Sequence, residues 1–252
     1  MTSGVLDPRG PASLAGQRVV VTGAARGIGS RVAVELALAG AHVTVLDVRA
    51  TTGTVDEIGR LGGSATGIEA DITDRDAVAA AMAEAAGARR RLDALVTCAA
   101  IYGETVALGE LGEDEVDRVL GVNVKGTLWC IGGALPFLRG NSSRVVCLGS
   151  VAGKVGGVLA GPHYVASKGA VHAVVKWLAK TEARNGIIAN AVAPGVVDTP
   201  MVEGKGYSAD YNPLGRLARP EEIARVAAFL ASPAASYLTG AVIDVNGGYA
   251  MG

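Results

Sequence analysis

The sequence predicts a single α/β domain with a doubly wound, seven-stranded parallel sheet covered by helices on both faces. Short β-branched runs alternate with helical segments along the chain, and repeated strand–helix units of this kind form parallel strands. Half of the 252 residues are hydrophobic, which suffices for one large core. No linker divides residues 16–252, whereas residues 1–15 have no apolar run and are expected to form a flexible arm.

Seven segments have the β-branched or apolar composition of buried strands, and three of them end at a glycine or an aspartate. The predicted strands are 18–22, 42–46, 64–69, 92–97, 143–149, 187–193 and 241–245. The predicted helices are 27–39, 51–61, 74–89, 113–138, 163–184 and 220–230. Gly40 ends the first helix, Pro220 occupies the first turn of the last one, and Gly53 and Gly59 weaken the second.

Charge and composition exclude several classes of function. The 23 basic and 24 acidic residues nearly cancel, so we expect no binding of nucleic acid or of an anionic membrane. No apolar stretch reaches the ~18 residues of a membrane-spanning helix. The three cysteines and three histidines have neither disulfide nor zinc-ligand spacing, so we expect reduced thiols, a cytoplasmic location and no metal.

A glycine-rich turn joins the first strand to the first helix. Gly23, Gly27 and Gly29 allow a tight turn and a close backbone approach, and the following helix offers free N–H groups to a pyrophosphate. Asp47 ends the next strand, close to the spacing expected for a carboxylate on the adenosine ribose. This turn therefore predicts a dinucleotide site, and an ordinary strand–helix turn is the alternative.

Asp47 also discriminates between nicotinamide cofactors. A carboxylate accepts hydrogen bonds from ribose hydroxyls but repels a 2′-phosphate, which favours NAD over NADP. Arg26 and Arg49 lie nearby in the sequence and could partly offset this repulsion. The alternative role of Asp47 is to cap the following helix.

A phenol and an amine follow the fifth strand. Tyr164 and Lys168 are four residues apart and share one face of a predicted helix. A phenol with a pKa of ~10 is a poor base at neutral pH, but a nearby cation stabilises the phenolate. Ser150 ends the fifth strand and could hydrogen-bond the same substrate oxygen. The three residues predict acid–base chemistry on an alcohol or carbonyl oxygen.

Several motifs occur together in a characteristic order. They are Thr22-Gly23-x-x-x-Gly27-x-Gly29, Asp71-Ile72, Asn123-Val124-x-Gly126, Ser150, Tyr164-x-x-x-Lys168, Pro194-Gly195-x-x-x-Thr199 and Val245-Asn246-Gly247-Gly248. With these motifs the chain resembles the classical short-chain dehydrogenase/reductase family over nearly its whole length, about 16–250. The resemblance implies a Rossmann-type fold and an oxidoreductase that uses a nicotinamide cofactor.

The resemblance implies a role for each of four catalytic residues. Tyr164 would be the catalytic acid/base, and Lys168 would lower its pKa and hold the nicotinamide ribose. Ser150 would orient the substrate oxygen, and Asn123 would lie at a helix kink and hold a water in a proton relay with Lys168. The alternative for Asn123 is a polar residue that faces solvent from a helix.

The resemblance also implies the cofactor contacts. Asp71 and Ile72 would border the adenine, while the Val197 backbone and the Thr199 hydroxyl would bind the nicotinamide carboxamide; the alternative role of Thr199 is a cap. The expected cofactor-binding residues are Gly23, Arg26, Gly27, Ile28, Gly29, Asp47, Asp71, Ile72, Ala99, Tyr164, Lys168, Pro194, Gly195, Val197 and Thr199.

Two features depart from the family pattern. After the fourth strand, Thr97-Cys98-Ala99-Ala100 stands where the family usually has Asn-Asn-Ala-Gly, so the segment lacks both amides and the glycine that in the family tie this strand to the adenosine side of the cofactor. The interval between Ser150 and Tyr164 is slightly long, and the loop over 153–161 is expected to absorb the extra residue.

The loops that the resemblance places near the substrate are mostly apolar. They contain Tyr102, Val151, Val155, Val158, Leu159, Met201, Val202, Tyr207 and Tyr211. We therefore expect hydride transfer between NAD(H) and an uncharged, mostly apolar secondary alcohol or ketone, beneath a mobile lid over residues 200–212. One alternative is an NADPH-dependent 3-oxoacyl thioester reductase. The other is a non-catalytic, NAD-binding regulatory protein, which the intact catalytic set disfavours.

The helix that carries Tyr164 predicts an oligomer. Apart from a polar stripe at Tyr164, Lys168, His172 and Lys176, the segment 164–180 is apolar on most sides. One sheet face buries one stripe only, so we expect a second surface from another subunit. The family resemblance points to a homotetramer built on this helix and the last strand; coverage by helices of the same chain is the alternative.

Overall fold

The computed structural model describes residues 12–157 and 159–251, and its centre is one seven-stranded parallel sheet. The strand order is β3-β2-β1-β4-β5-β6-β7, and every neighbouring pair is parallel. The strands are β1 (Arg18–Thr22), β2 (His42–Asp47), β3 (Ser64–Glu69), β4 (Ala94–Thr97), β5 (Ser143–Leu148), β6 (Ile187–Pro194) and β7 (Val242–Val245). The predicted doubly wound fold is confirmed.

Eight α-helices of the described residues connect these strands. They are α1 (Gly27–Leu38), α2 (Thr52–Arg60), α3 (Arg75–Ala86), α4 (Glu113–Leu120), α5 (Thr127–Leu138), α6 (Ala152–Val155), α7 (Pro162–Thr181) and α8 (Pro220–Ala231). Helices α1, α2 and α8 cover one face of the sheet, and α3, α5 and α7 cover the other. Along β1, Val19 and Val21 point into the first layer and Val20 into the second, because successive side chains of a strand alternate between faces.

The predicted helix over 113–138 is continuous in space but has three parts. A π-helical segment, Gly121–Gly126, separates α4 from α5. Gly126 packs so tightly on Ile72 that a Cβ at this position would lie 2.6 Å from the Ile72 Cδ1 atom. The wider turn brings Asn123 inward, where it is 1% exposed, so the helix kink coincides with a candidate site residue.

The folded body begins before residue 16. Residues 1–11 of the predicted arm lie outside the described residues, as do Val158 and Gly252. Leu14, which the sequence analysis placed in the arm, is fully buried beside α1, and its N–H donates to the Ala39 carbonyl at 2.9 Å. Among the described residues, no helix is both long and apolar enough to cross a membrane.

Candidate active site

Two adjoining clefts lie at the carboxyl ends of the strands. Strands β2 and β3 extend the sheet to one side of β1, and strands β4 to β7 extend it to the other side. The order of the strands therefore switches between β1 and β4, and such a switch point leaves a crevice outside the strand ends. A cleft of about 1150 Å³ lies over the glycine loop, and a second of about 880 Å³ lies over the ends of β5 and β6. Ile28, Cys98, Ala100, Thr199 and Met201 line both clefts, so one elongated molecule could occupy the two together.

The glycine loop is shaped by the close approach of two backbones. Gly23 has φ +64 and Gly27 has φ +60, in the left-handed region that favours glycine. A Cβ on Gly23 would lie 2.5 Å from the Ala99 Cα atom, and a Cβ on Gly29 would collide with the Gly23 carbonyl. The loop therefore forms a backbone cradle that larger residues would fill, which suits a pyrophosphate at the start of α1.

The unusual segment after β4 is tied to β1 without side-chain amides. The Cys98 N–H donates to the Thr22 carbonyl at 3.2 Å, and the Ala99 N–H donates to the Thr22 hydroxyl at 3.3 Å. At this point the Gly23 backbone lies directly against Ala99, whose side chain is small. Although this segment departs from the family pattern, its backbone is anchored, because Thr22 at the end of β1 supplies the two hydrogen-bond acceptors.

Asp47 lies at the end of β2 and lines the dinucleotide cleft. Its side chain accepts the Ala25 N–H and the Arg49 N–H, each at 3.0 Å. The N-cap position of α2 is Thr51, whose side chain makes no capping hydrogen bond, so Asp47 does not hold the cap position of that helix. The carboxylate is 8% exposed and faces a cleft that Asp71 and Ile72 also line. Arg26 borders the same cleft with an exposed side chain.

The three candidate catalytic side chains line the second cleft and are buried. Tyr164 and Lys168 lie one turn apart on α7, and Ser150 follows β5. The Lys168 Nζ atom lies 5.7 Å from the centre of the Tyr164 ring and donates to the Leu148 carbonyl at 2.9 Å. The structure thus brings together the serine, the phenol and the ammonium that the sequence analysis singled out.

Burial is the largest influence on the pKa values of Tyr164 and Lys168. It raises the pKa of Tyr164 to about 12, although a hydrogen bond with the Ser150 side chain acts in the opposite direction. Burial also lowers the pKa of Lys168 to about 8. The sequence analysis expected Lys168 to lower the pKa of the phenol. That effect stays a prediction: in this structure burial is the largest influence on the pKa of the phenol, and the ammonium donates to the Leu148 carbonyl.

Asn123 anchors the loop after β4 to the helix that carries Tyr164. Its Oδ1 atom accepts the Ile101 N–H at 2.8 Å, and its Nδ2 atom donates to the Ile101 carbonyl at 2.9 Å and to the Ser167 hydroxyl at 3.0 Å. The side chain is buried, which rules out the solvent-facing alternative. Unlike the other catalytic candidates, Asn123 lines neither cleft.

The loop after β6 forms the wall between the clefts. Pro194, Gly195, Val197 and Thr199 all line the second cleft. The Thr199 hydroxyl donates to the Val197 carbonyl at 3.3 Å, and Val197 forms a parallel bridge with Ala218. These contacts hold the backbone in place where the sequence analysis expected the nicotinamide carboxamide.

Tyrosines dominate the wall of the second cleft. The Tyr102 ring lies 4.8 Å from that of Tyr164, and the Tyr102 hydroxyl is 2.6 Å from the Tyr207 hydroxyl. Burial raises the pKa of both Tyr102 and Tyr207, so each stays protonated and able to share this hydrogen bond at neutral pH. Tyr207 belongs to the predicted lid, so the bond joins the lid to the loop after β4.

The expected pocket residues divide into two groups. Tyr102, Val151, Met201, Val202, Tyr207 and Tyr211 line the cleft. Val155 is half exposed and Leu159 contacts the Thr105 hydroxyl through its carbonyl, and neither of them lines the cleft. Tyr249 does line it but was missed, because a position near the end of the chain has no sequence pattern that places it beside the site. Within the described residues, no group of three or more His, Cys, Asp or Glu side chains could hold a metal ion.

Known proteins resemble the chain over nearly its whole length. A family model described as enoyl-(acyl carrier protein) reductase matches residues 23–250. The chain is 40% identical over 240 residues to cis-4-hydroxycyclohexanecarboxylate dehydrogenase of Sinomonas cyclohexanicum, a match that covers 91% of this chain and 95% of that protein.

Solved structures share the fold. A short-chain type dehydrogenase/reductase from Mycobacterium marinum superposes with a TM-score of 0.91 at 32% identity, covering 96% of this chain and 98% of that one. A candidate 2-deoxy-D-gluconate 3-dehydrogenase from Agrobacterium tumefaciens, with NADP bound, superposes with a TM-score of 0.88 at 34% identity, covering 96% and 99%.

The hydroxyl contact between Tyr102 and Tyr207 predicts a measurable effect on the lid. Tyr102→Phe removes the contact but keeps the ring, and one net hydrogen bond contributes ~1 kcal/mol. We expect amide hydrogen exchange over residues 200–212 to accelerate by about fivefold for that free-energy change. Tyr237→Phe, at a fully exposed tyrosine, is the matched control and should leave exchange unchanged. Equal exchange in Tyr102→Phe and wild type would contradict the contact.

Proposed function

The chain belongs to the short-chain dehydrogenase/reductase family, and we propose that it transfers a hydride between NAD(H) and an uncharged, mostly apolar secondary alcohol or ketone. The observation that carries this proposal is the cleft in which Ser150, Tyr164 and Lys168 meet beneath tyrosine side chains. This cleft adjoins the glycine cradle, so a dinucleotide and a small substrate could meet at its inner end.

The three side chains divide the chemistry among them. Ser150 donates its hydroxyl hydrogen to the substrate oxygen and orients it, while Tyr164 exchanges a proton with the same oxygen. With a pKa near 12, the phenol is protonated at neutral pH and is ready to act as the acid in carbonyl reduction. Alcohol oxidation requires the phenolate, which the Lys168 ammonium would stabilise by turning from the Leu148 carbonyl towards it. The nicotinamide supplies or accepts the hydride when it is bound.

The lining of the cleft supports an uncharged substrate. Five of its side chains are tyrosines, and among the described lining residues Lys168 alone carries a cation. The resemblance to a dehydrogenase of a hydroxycyclohexane carboxylate supports a secondary alcohol on a saturated ring, but that relative's substrate also carries a negative charge, so a ring carboxylate belongs in the panel beside its uncharged analogue. The description of the matching family model supports the alternative of an acyl-thioester substrate, so both classes belong in the substrate panel.

The catalytic proposal predicts a selective loss of turnover. Tyr164→Phe removes the hydroxyl that carries the proton and should reduce kcat with cyclic secondary alcohols at least ~100-fold. NAD affinity should be nearly intact, because Tyr164 lines the second cleft and not the cleft over the glycine loop and Asp47. Stopped-flow absorbance of NADH measures the first quantity and fluorescence titration the second. Tyr237→Phe, at a fully exposed tyrosine that lines neither cleft, serves as the control.

The substrate panel separates the proposed function from its alternatives. Wild-type protein is assayed with NAD and secondary alcohols, and with NADPH and 3-oxoacyl thioesters. Near wild-type turnover in Tyr164→Phe would refute the catalytic assignment. NAD binding without turnover of any substrate would favour a non-catalytic regulatory protein.

Asp47 supports NAD as the preferred cofactor. Its buried carboxylate lies at the end of β2 in the dinucleotide cleft, where it could accept ribose hydroxyls and would repel a 2′-phosphate. The Agrobacterium tumefaciens relative binds NADP, so related clefts do accept that phosphate. Arg26 and Arg49 border the cleft and are the cations that would favour NADP in this chain.

Replacing the carboxylate should shift the cofactor ratio. Asp47→Ser removes a negative charge from the ribose side, so kcat/KM for NADP relative to NAD should rise by about tenfold or more, as expected for ~1.4 kcal/mol of lost repulsion. Steady-state kinetics with both cofactors measures the ratio. Asp56→Ser makes the same charge change on the exposed side of α2 and should leave the ratio unchanged. A wild-type preference for NADP would reverse the assignment.

The outer face of α7 supports a homotetramer. Val171, Val175 and Leu178 are buried against the sheet and His172 is buried as well, so the chain itself covers more of this helix than the sequence analysis expected. Ala166, Ala173 and Trp177 remain exposed on the opposite side, with Trp177 at 60%. Strand β7 is also an edge of the sheet. We infer that these two surfaces join four copies of the chain.

Mass measurement tests this assembly. Sedimentation at micromolar concentration should give a tetramer of 25.3 kDa chains. Trp177→Glu places a charge in the inferred contact and should yield smaller species, whereas Leu38→Glu, at an exposed apolar site on α1, should not. A wild-type monomer would refute the proposed tetramer.

A cytoplasmic location is also part of the proposal. Cys98, Cys130 and Cys147 are all free thiols, as expected for a protein from a reducing compartment.

A further inference from the structure

We propose that His172 is a positioning residue that holds Ser150 in its working orientation by accepting the Ser150 backbone N–H. His172 lies on α7 one turn beyond Lys168, and it is 6% exposed. Its Nε2 atom is 3.4 Å from the Ser150 nitrogen. The inference rests on the proposed function, because that proposal assigns the substrate oxygen to Ser150.

The backbone after β5 explains why this N–H needs a partner from a side chain. The flanking amides of Gly149 and Val151 donate to carbonyls of β6, at 2.8 and 2.9 Å. On its other side β5 pairs with β4, which ends at Thr97 opposite Cys147, before the position of Ser150 is reached. The Ser150 N–H therefore lies beyond the sheet ladder, and a buried N–H without an acceptor is costly.

The shape of the surrounding backbone matches the imidazole ring. Gly149 has no side chain, and a Cβ at this position would collide with the His172 Nε2 atom and lie 2.6 Å from its Cδ2 atom. The ring thus occupies the volume that any other residue at position 149 would fill. Gly149 and His172 form a complementary pair directly behind Ser150.

The electrostatic surroundings keep the ring neutral. Burial lowers the pKa of His172 to about 4, and the ammonium groups of Lys154, Lys168 and Lys176 lower it further, whereas Asp244 raises it. At neutral pH the ring therefore has one nitrogen free to accept, and Nε2 is the nitrogen that meets the Ser150 N–H.

The contact between His172 and the Ser150 N–H affects the Ser150 hydroxyl through the backbone. The Ser150 Oγ atom already accepts the Ala152 N–H at 3.1 Å, so its direction depends on the conformation of residues 150–152. If the Ser150 N–H lost its acceptor, this turn would rearrange to find another. Ser150 would then present its hydroxyl to the substrate from a different position, while the glycine loop and Asp47 would be unaffected.

A matched pair of variants tests the inference. His172→Leu keeps an apolar side chain without an acceptor, and we expect kcat to fall about tenfold with little change in KM or NAD affinity. His172→Gln restores an acceptor near the position of Nε2 and should keep kcat within about threefold of wild type. If His172→Leu does not fold, His172→Met replaces it, since its flexible chain fits irregular space.

Two controls separate positioning from simple destabilisation. Val175→Ala removes buried volume from the same helix, one turn further on, and should lower the melting temperature without lowering kcat. In a Ser150→Ala background, His172→Leu should cause little further loss of kcat, because its effect passes through Ser150.

Several results would overturn the inference. They are an unchanged kcat in His172→Leu, equal losses in the Leu and Gln variants, and a further tenfold loss on the Ser150→Ala background. Full turnover by Ser150→Ala itself would instead refute the proposed role of Ser150, and with it this inference, so the two failures are distinguishable.

Discussion

The close packing of two backbones at Gly23 and Ala99 is the constraint on which the dinucleotide cleft depends. Strands β1 and β4 are neighbours in the sheet, yet the chain leaves them in opposite directions, towards α1 and towards the loop that carries Tyr102. Because Gly23 has no side chain, the backbones of the two segments lie in direct contact where they cross. Beyond this contact they separate, and the cleft lies between them. Thr22 then joins them with hydrogen bonds from its carbonyl and its hydroxyl.

The second cleft depends on burial more than on any single contact. Helix α7 packs its inner side on β5 and β6, and this packing places Tyr164 and Lys168 in a region from which water is largely excluded. Burial disfavours the charged form of either group, so it moves their pKa values apart, to about 12 for the Tyr164 phenol and about 8 for the Lys168 ammonium. In water the two pKa values nearly coincide, so burial favours the uncharged phenol and amine over the phenolate–ammonium pair and makes the phenol the acid at rest.

The walls of this cleft join segments that are far apart in the sequence. Asn123 connects the loop after β4 to Ser167 on α7, and the Tyr102 and Tyr207 hydroxyls connect the same loop to the lid. The loop after β4 is therefore held from both sides, by helix α7 and by the segment over residues 200–212. Motion of the predicted lid would then leave the connection between this loop and α7 in place.

Much of this architecture is predictable from the sequence because local patterns determine it. The β-branched runs gave six of the seven strands to within a residue at either end, and four-residue spacing on a helix placed Tyr164 and Lys168 on one face. Glycine spacing located the cradle, and the polar end of β2 located Asp47. The start of β4 was predicted two residues early, because an apolar residue before a strand has the same composition as the strand itself.

Tertiary structure alone decided how these groups meet. The direction of the Lys168 ammonium towards the Leu148 carbonyl, the bonds between Asn123 and Ile101, and the contact of His172 with Ser150 all join residues from separate elements. Hydrophobic patterning specifies which side of a helix is buried, but it does not specify which polar atom a buried side chain will reach. The partner is decided by differences of a few tenths of an ångström in the separation of packed elements, because hydrogen bonds form only over a narrow range of distance and angle.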